Sequence, residues 1–513
     1  MTFSDDLIKL QQNRSAQEPL PSGIAPYTCS AFFKSREYGM KPKARRWDHL
    51  LSKESHNLKP SPLKTASRAS GQKKLISLGT ARPAPEYFPW ESLSLRCLQN
   101  TVTEQAQPAP TVSMASVKLE QSYDLGVAMN YGFSGGSPQA LRFVTEHIEI
   151  IHKPPYDDWE CSLTCGTTSA IEIAFRIFCN PGDTILTENY TYSGAMTCAH
   201  AQGLHILGIE MDDLGLLPDD LDHKLRTWDY TKGPKPSVLY MVPTGQNPTS
   251  TTQNLIRRKQ IYAIAERHDL YILEDDPYYF LQLGKSEQAL ASAQLDKTDA
   301  NEEFFKCLSP SYLSLDVSGR VLRMDTTSKI LAPGLRCGWV TGSSQVIQKL
   351  VSYYEIGVLC PSGPSQVMLY KLLDETWGHD GFFSWLRSLS LQYRCRRDNL
   401  LESCERFLPS DLCEWNVPAE GMFLWIKVNI SGYRQTHTAS HGDGNVARYL
   451  AVEDRIYQKA HDNGVLVSKG SWFIADVQTL KGVNFRLTFA AAPVGELDEA
   501  LQRFARALET EVR

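Results

Sequence analysis

The sequence contains no run of about 18 apolar residues, the length that a membrane-spanning helix needs. Its first ten residues, MTFSDDLIKL, lack the basic start and the apolar core of a secretory signal, so we expect a cytoplasmic protein. A strong charge of either sign is also missing, because 53 basic and 58 acidic residues leave a net charge of -5. Such a balance offers no general attraction to nucleic acid or to an anionic membrane.

Metal-binding cysteine patterns are absent too. The 12 cysteines are scattered, without a Cys-x-x-Cys pair and without histidines at the spacing of a zinc site. We expect reduced, mostly buried thiols and no metal centre. Hydrophobic residues make up 42% of the chain and charged residues 22%, as in an ordinary soluble globular protein. The composition therefore favours an enzyme or a binding protein for small molecules.

The length of 513 residues exceeds the size at which one hydrophobic core stops growing, so at least two packed units are expected. Residues 1 to about 72 are rich in Lys, Arg, Ser and Pro and show no sustained periodicity. This composition predicts an extended, partly disordered N-terminal arm that ends in a short helix near Arg45–Leu51.

Short apolar runs alternate with helical segments from about Glu160 onward, which predicts an α/β fold with a mainly parallel sheet. Amphipathic helices are expected at Ala170–Phe178 and Gln253–His268. The predicted strands are Cys161–Thr164, Thr184–Thr187, His205–Glu210, Val238–Val242, Tyr271–Glu274, Val321–Met324 and Cys337–Thr341.

The C-terminal part has a different pattern. A long helical pattern runs from Pro361 to about Phe407, and strands are expected around Gly421–Val428 and Asn484–Phe489, which predicts an α+β unit. Two polar segments without apolar periodicity, Gly284–Lys306 and Tyr433–Asn445, are predicted to be surface insertions.

Four predicted strand ends carry unusual polar clusters, and ligands collect at the carboxyl ends of strands in open α/β sheets. The first cluster, CGTTS at Cys165–Ser169, places N–H groups and hydroxyls at the positive end of a helix, which suits a phosphate. A simple helix cap formed by Thr167 is the alternative. The second cluster, PTGQNPT at Pro243–Thr249, supplies an amide but taken alone is only a turn.

The other two clusters carry charges. The third, EDDPYY at Glu274–Tyr279, puts carboxylates directly after an apolar strand, where capping or a solvated loop is the alternative. The fourth, DTTSKILAPGLR at Asp325–Arg336, holds a lysine flanked by hydroxyls, with an arginine seven residues further on. The ordinary interpretation of such a lysine is a side chain on a solvent-exposed face.

Taken in order, these clusters resemble those of the fold type I aminotransferases (class I/II), which depend on pyridoxal 5'-phosphate (PLP). The similarity is to the kynurenine/α-aminoadipate and the fungal aromatic amino acid aminotransferases. It runs from about Arg46 to the C-terminus, through YDLGVAMNYGFSGG at 123–136, EDDPYYFLQ at 274–282 and EGMFLWIKV at 420–428.

This resemblance implies the aspartate aminotransferase fold, with a mainly parallel seven-stranded sheet flanked by helices in a PLP-binding large domain. We expect the arm at 1–72 and the large domain at 123–360. A smaller α+β domain is expected from 73–122, which includes a substrate loop, and from 361–513.

The resemblance also assigns roles toward the cofactor. Lys329 corresponds to the lysine that links covalently to PLP and moves the substrate proton. Asp275 corresponds to the partner of the pyridine nitrogen, and Tyr278 with Asn247 to the partners of the ring oxygen. Tyr192 corresponds to the aromatic residue on the ring face. The phosphate is expected to contact Thr167, Thr168, Thr326, Ser328, Arg336 and, from a second subunit, Tyr131.

Substrate recognition follows from the same resemblance. Arg486 is expected to clamp the α-carboxylate of the substrate in two parallel hydrogen bonds, with Asn247 beside it. Ala81 and Arg82 belong to the loop that touches the substrate, which reads GTARP at 79–83 where relatives commonly have Gly-Gly-Gly-Leu-Pro. Thr167-Thr168 replaces Ser-Gln, and Ser250 replaces Gly. Cofactor binding should survive these departures, whereas substrate specificity depends on them.

We therefore predict a homodimeric aminotransferase with shared active sites and ping-pong exchange between an aromatic amino acid and 2-oxoglutarate. Aminoadipate or kynurenine as the donor is one alternative, and a lyase or decarboxylase of the same fold is another. A PLP-sensing transcription regulator is the third. Pro19, Pro21, Pro26 and Pro42 interrupt the segment that would form its DNA-binding domain, and no helix-turn-helix periodicity is present there.

Overall fold

The computed structural model describes most of the chain. The described residues are 2–20, 23–35, 39–59, 62, 78–79, 81–99, 110–284, 297–431 and 444–512. Thr80 and residues 285–296 and 433–443 of the two predicted insertions lie outside them.

The strands found in these ranges are numbered along the chain. They are β1 (Ser92–Leu98), β2 (Thr111–Val117), β3 (Trp159–Thr164), β4 (Thr184–Glu188), β5 (His205–Ile209), β6 (Met211–Asp212), β7 (Gly215–Leu216), β8 (Val238–Met241), β9 (Tyr271–Asp275), β10 (Val321–Thr326), β11 (Gly338–Ser343), β12 (Cys413–Trp415), β13 (Phe423–Val428), β14 (Ser468–Lys469) and β15 (Val483–Thr488).

The α-helices are numbered in the same way. They are α1 (Phe3–Ala16), α2 (Lys53–Asn57), α3 (Leu125–Ala128), α4 (Pro138–Ile151), α5 (Thr167–Phe178), α6 (Ser193–Ala201), α7 (Pro218–Arg226), α8 (Leu255–His268), α9 (Lys297–Cys307), α10 (Tyr312–Leu315), α11 (Ser344–Ile356), α12 (Gly363–Tyr370), α13 (Gly378–Phe407), α14 (Asn445–Asp462) and α15 (Leu497–Val512). A π-helical segment, Lys371–Trp377, joins α12 to α13.

The main sheet has seven strands in the order β3-β11-β10-β9-β8-β4-β5. Strand β10 is parallel to β9, and β4 is parallel to β5 and β8, whereas β11 is antiparallel to both of its neighbours. The mainly parallel α/β sheet predicted from the sequence is therefore confirmed. Each predicted strand overlaps an observed one, because strands buried on both faces read as short apolar runs.

The chain divides into two compact units. Unit 1 contains Met1–Pro181, Asp269–Pro277 and Gln294–Ser388, and unit 2 contains Gly182–His268, Tyr278–Ala293 and Leu389–Arg513. This division differs from the predicted domains, since Gly182–His268 groups with the C-terminal segment. The predicted boundaries at 122 and 360 stay a prediction.

The N-terminal arm in unit 1 is not simply extended. Helix α1 begins with a capping box, and Phe3 is buried with its ring centroid 4.3 Å from that of Phe383. Near its other end, the Arg14 guanidinium donates two hydrogen bonds to the Glu146 carboxylate. The prediction of an extended arm is therefore wrong over α1. The sequence did not reveal this helix because the residues that hold it lie far away in the chain. The short helix expected near Arg45–Leu51 is a 3-10 turn at Asp48–Leu50.

The first predicted surface insertion is also partly wrong. Its second half forms helix α9, in which Ala300 and Phe304 are buried. The Asn301 side-chain amide, buried as well, donates hydrogen bonds to Asp380 Oδ1 at 2.9 Å and to Ser384 Oγ at 3.0 Å. The helix reads KTDANEEFFKC, and its many polar residues are why the segment resembles a surface loop. Unit 1 also contains an antiparallel hairpin, β1 with β2, that the sequence pattern did not predict.

Unit 2 contains a four-stranded antiparallel sheet in the order β12-β13-β15-β14. Helices α14 and α15 contribute with β13 and β15 to one apolar core, which contains Ile426, Ile456, Phe485 and Phe504. This core confirms the α+β pattern expected for the C-terminal segment. Its sheet holds β15 so that Arg486 pairs with Trp425 on one side and Ser468 on the other.

No helix in the described ranges is long and apolar enough to cross a bilayer. None of the twelve cysteines, which all lie in the described ranges, forms a disulfide. Only five of them are buried, so the expectation of mostly buried thiols is wrong. The predicted cytoplasmic location stays a prediction.

Candidate active site

A turn between β3 and α5 presents an open helix N-terminus in unit 1. Gly166 is the N-cap residue, with φ of 86°, and no side chain caps the helix. Thr167 is the first helical residue, so the alternative of a Thr167 helix cap is wrong. The N–H groups of the first helical turn have no acceptor within the helix, and the helix dipole makes this end positive. This geometry suits an anion such as a phosphate.

Arg336 lies against this turn. Its Nη2 donates to the Cys165 carbonyl at 3.2 Å, and its Nη1 donates to the Pro333 carbonyl at 3.1 Å and lies 3.5 Å from Ser328 Oγ. A Cβ atom built on Gly166 would lie 2.5 Å from Arg336 Nη2, so a side chain there would displace the guanidinium. Glycine is required both for this space and for the positive φ.

The segment after β10 is fixed by its own hydroxyls. Thr326 Oγ1 donates to Ser328 Oγ at 2.9 Å and accepts from the Ser328 N–H at 3.2 Å. Thr327 Oγ1 donates to the Cys337 carbonyl at 2.7 Å. The half-buried Lys329 follows directly, so it is not on a fully solvated face. The structure thus gathers Ser328, Arg336 and the turn before α5.

Asp275 is the last residue of β9 and is buried. It pairs with Met324 on β10, one strand away and two residues before Thr326. Because side chains alternate along a strand, Asp275 faces the opposite side of the sheet from its neighbour Glu274. The sheet therefore separates Asp275 from the charges that surround Glu274.

Those charges form a cluster that the sequence did not reveal. The buried Arg323 guanidinium lies 3.0 Å from Glu274, 3.1 Å from Asp276 and 2.9 Å from Asp325. The pKa of Asp325 is raised because burial disfavours the charged carboxylate, and the neighbouring Arg323 reduces but does not cancel this effect. Glu274 and Asp276 are both buried, so the solvated-loop alternative is wrong. The capping alternative holds for Glu274, whose carboxylate accepts from the Tyr312 and Leu313 N–H groups at the start of α10, at 2.8 and 3.2 Å. The only signal in the sequence was a single arginine inside the apolar run VLRM.

Arg486 is the centre of a second group, in unit 2. Its Nη1 donates to Asn247 Oδ1 at 2.7 Å, and its Nη2 donates to Ser468 Oγ at 3.1 Å. The rings of Phe423 and Phe473 lie 4.5 and 4.6 Å from the guanidinium carbon. Burial lowers the pKa of Arg486. Each terminal nitrogen carries a second N–H, so the fork can still bind a carboxylate.

Two tyrosines belong to the same group. The buried Tyr278 ring packs edge-on against Phe423, with 5.5 Å between the centroids. Burial has the largest effect on the pKa of Arg486 and lowers it, and Tyr278 and Tyr192 act electrostatically in the opposite direction. Tyr192 stands directly before α6. The structure therefore brings together the predicted residues Arg486, Asn247, Tyr278 and Tyr192.

The loop that carries Asn247 is held by residues that the sequence analysis missed. The Gln246 side-chain amide donates to the Tyr190 carbonyl at 2.6 Å and to Glu188 Oε2 at 3.0 Å. Ser250 has a positive φ of 61°, where a glycine is favoured, and its hydroxyl donates to the Phe423 carbonyl at 2.6 Å. This hydrogen bond accounts for a serine at the position where relatives have glycine.

The remaining predicted residues lie in a loop region of unit 1. Arg82 donates to the Ile24 carbonyl of the arm at 3.0 Å, and Asn130 donates to the Pro83 carbonyl at 2.9 Å. Ala81 is exposed, and so is Tyr131, with 51% of its surface accessible. The contacts described for Arg82 therefore join the predicted substrate loop to the arm.

The sequence matches the family model "Aminotransferase class I and II" over residues 105–504. The chain belongs to this family. It is 45% identical to an aminotransferase (swnA) of Arthroderma benhamiae, over 92% of this chain and 93% of the relative. It is also 39% identical to an aromatic amino acid aminotransferase of Schizosaccharomyces pombe, over 92% of this chain and 99% of the relative.

A solved structure supports the same assignment. The crystal structure of the aminotransferase Aro8 from Candida albicans matches with a TM-score of 0.82 and 34% identity, over 92% of this chain and 100% of that one. The aspartate aminotransferase fold predicted from the sequence is therefore confirmed, and the protein is a PLP-dependent aminotransferase.

The residues around α5 fit the phosphate ester of this cofactor. An uncapped helix N-terminus, the Arg336 guanidinium and the hydroxyls of Thr326 and Ser328 form a donor set that suits a dianion. Gly166 keeps the approach free, since any Cβ there would fill the space beside Arg336.

Proposed function

We propose that this aminotransferase transfers the amino group of an aromatic amino acid to 2-oxoglutarate in a ping-pong reaction. The observation that carries the proposal is the Arg486 guanidinium, whose planar fork lies between the rings of Phe423 and Phe473. Such a fork binds an α-carboxylate, and the surrounding rings favour an apolar or aromatic substrate. The relative named an aromatic amino acid aminotransferase supports this choice of donor.

Both substrates carry a carboxylate next to the reacting carbon. One clamp can therefore serve the amino acid first and the 2-oxo acid afterwards, as a ping-pong reaction requires. Within the clamp, Asn247 and Ser468 fix the guanidinium through hydrogen bonds to separate nitrogens. The substrate is thus oriented before any proton moves.

The roles toward the cofactor rest on the sequence resemblance and on the placement described above. When bound, PLP supplies an electron sink that makes bonds at the α-carbon of an amino acid easier to break. Lys329 takes the proton from the α-carbon. The Asp275 carboxylate holds a proton on the pyridine nitrogen. The other proposed contacts are Tyr278 and Asn247 to the ring oxygen, Tyr192 to the ring face, and Thr167, Thr168, Thr326, Ser328 and Arg336 to the phosphate.

A donor panel tests the proposed substrate. The purified holoenzyme is incubated with phenylalanine, tyrosine, tryptophan, glutamate, aminoadipate or kynurenine, each with 2-oxoglutarate, and the new oxo acid is measured. We expect kcat/KM for the best aromatic donor to exceed that for aminoadipate and kynurenine by at least about 10-fold, a difference of the size that one pocket contact gives. A preference for aminoadipate, or ammonia or CO2 release without an acceptor, would overturn the proposal.

The same panel tests the predicted role of Arg82 in donor choice. Its hydrogen bond to the Ile24 carbonyl joins the substrate loop to the arm, so its effect would be exerted through the position of the loop. Arg82→Leu removes this bond and is expected to change the ranking of the donors. An unchanged ranking would show that Arg82 has no part in specificity.

We also propose a homodimer in which Tyr131 of the partner subunit contacts the cofactor phosphate. The support is that Tyr131 is exposed in the single chain, beside Asn130, whose side chain anchors the loop to Pro83. An aromatic residue presented outward on an anchored loop is available to a second subunit.

Subunit mixing tests this arrangement. The Lys329→Ala and Tyr131→Ala proteins are each expected to have little or no activity alone. Their subunits are dissociated and reassociated together. Each hybrid contains one intact pocket, and random pairing makes about half of the dimers hybrid, so roughly a quarter of the wild-type activity should return. Hybrids detected by mass that show only the parental activity would exclude a shared site.

A further inference from the structure

A buried tyrosine hydroxyl supports the turn that precedes α5. Tyr354 lies in α11 and has no exposed surface. Its hydroxyl accepts a hydrogen bond from the Cys165 N–H at 3.0 Å and lies 2.9 Å from Ser169 Oγ. The two contacts bracket Gly166, the N-cap residue, since one precedes it and the other follows it.

The same turn is held at a second point. The Cys165 carbonyl accepts from Arg336 Nη2 at 3.2 Å, while its N–H donates to Tyr354. Both polar backbone groups of Cys165 therefore have side-chain partners from distant segments. These groups belong to the two successive peptide units, on either side of Cys165, that lead into α5.

The Tyr354 hydroxyl can act as both an acceptor and a donor in these contacts. It accepts from one N–H, and its single proton is available to Ser169 Oγ. Burial raises the pKa of Tyr354 to about 12, so the group stays a neutral hydroxyl through the working range of an enzyme. Its support of the turn should not change with pH near neutrality.

We propose that Tyr354 is a positioning residue for the cofactor phosphate, which it serves by holding the turn Cys165–Ser169 in its anion-binding form. The inference rests on the proposed phosphate role of this turn. An anion at a helix N-terminus is bound by N–H groups that must converge on it. Without the hydroxyl, the partly buried Cys165 N–H loses its partner, which favours a shift of the turn.

Helix α11 offers a matched control. Tyr353, the preceding residue, is also buried, and its hydroxyl donates to the Arg176 carbonyl at 3.2 Å and lies 3.2 Å from Ser55 Oγ. Tyr353→Phe therefore removes a hydroxyl of the same kind from the same helix, but away from the turn. It separates a general loss of packing support from an effect on the phosphate.

The test compares two ligands that differ only by the phosphate. Full-length apoenzyme is titrated with PLP and with pyridoxal, and the two dissociation constants are measured. Tyr354→Phe is expected to weaken PLP by about 5- to 50-fold, the range that a lost buried hydrogen bond gives, and to leave pyridoxal unchanged. Tyr353→Phe should leave both constants unchanged. We compare the variants by the ratio of the PLP to the pyridoxal dissociation constant. The factor by which Tyr354→Phe changes this ratio, relative to the wild type, should be the same from about pH 6 to 9.

Two further variants make each outcome decisive. Ser169→Ala, which removes the other end of the bridge, should shift the same ratio in the same direction by about 2- to 5-fold, even if Tyr354→Phe does not fold. Equal weakening of PLP and pyridoxal, no shift, or an equal shift in Tyr353→Phe would overturn the inference. Arg336→Gln is the reference for the phosphate site. If it leaves the ratio unchanged, the proposed phosphate site itself is wrong.

Discussion

The Lys329→Ala variant is expected to lose at least about 10³-fold in the rate of amino-group transfer while the chain stays folded. The loss follows because this side chain is proposed both to link covalently to PLP and to move the substrate proton, and a positioned proton-transfer group alone contributes about 10² to 10⁴. The fold should survive, since the hydroxyls of Thr326 and Thr327 hold the segment through hydrogen bonds of their own. Thermal unfolding with bound PLP checks this.

Borohydride reduction followed by peptide mapping locates the covalent link. Wild-type protein should carry the label on Lys329, and the alanine variant should carry none. Lys349→Ala is the matched control, since this lysine in α11 donates to the Ser55 carbonyl and has no proposed role in the reaction. Its activity and labelling should equal those of the wild type. A label on any other lysine would disprove the assignment of Lys329.

The second large effect is expected at Arg486. Replacing it by alanine should lower kcat/KM by about 30- to 5000-fold for every donor and acceptor, since a buried charge-assisted pair is worth about 2–5 kcal/mol. Arg486→Lys should recover only part of this loss. It keeps a positive charge, but it cannot make two parallel hydrogen bonds to a carboxylate.

Steady-state kinetics with an amino donor and, separately, with a 2-oxo acid measure the effect. Arg503→Ala serves as the control, because Arg503 lies in the same unit, in α15, and pairs with Glu499 on the surface. Thermal unfolding must accompany the kinetics, since Asn247 and Ser468 lose a hydrogen-bond partner. A loss confined to donors would show that acceptors bind elsewhere, and an unchanged kcat/KM would disprove the clamp.

The residues proposed to hold the cofactor could be nominated from the sequence, whereas the residues that support them could not. Lys329 and Arg336 come after β10, and Asp275 ends β9. The apolar runs of these strands stand out locally, so the order of motifs was sufficient to nominate the three residues, whose roles stay a prediction. Tyr354 and Cys165 are separated by 189 positions, and nothing near either residue indicates that they meet. Ser468 and Phe473, which position Arg486, likewise carry no motif of their own.

The failed expectations have the same origin. Helix α1 has weak periodicity, and the residues that hold it, such as Glu146 and Phe383, are more than a hundred positions away. Helix α9 has a mostly polar sequence, KTDANEEFFKC, and the partners of its buried Asn301, Asp380 and Ser384, are about eighty positions away.

The sequence by itself determined the α/β class, the strands of the main sheet and the family of PLP-dependent aminotransferases. These properties depend on local apolar runs and on short motifs that can be read along the chain. Only the tertiary structure decided which partners surround each functional group: Arg323 among three carboxylates, Arg486 between two phenylalanine rings, and Tyr354 on the turn before α5. Such partners are selected by strand order and helix packing, which join residues that no local pattern connects.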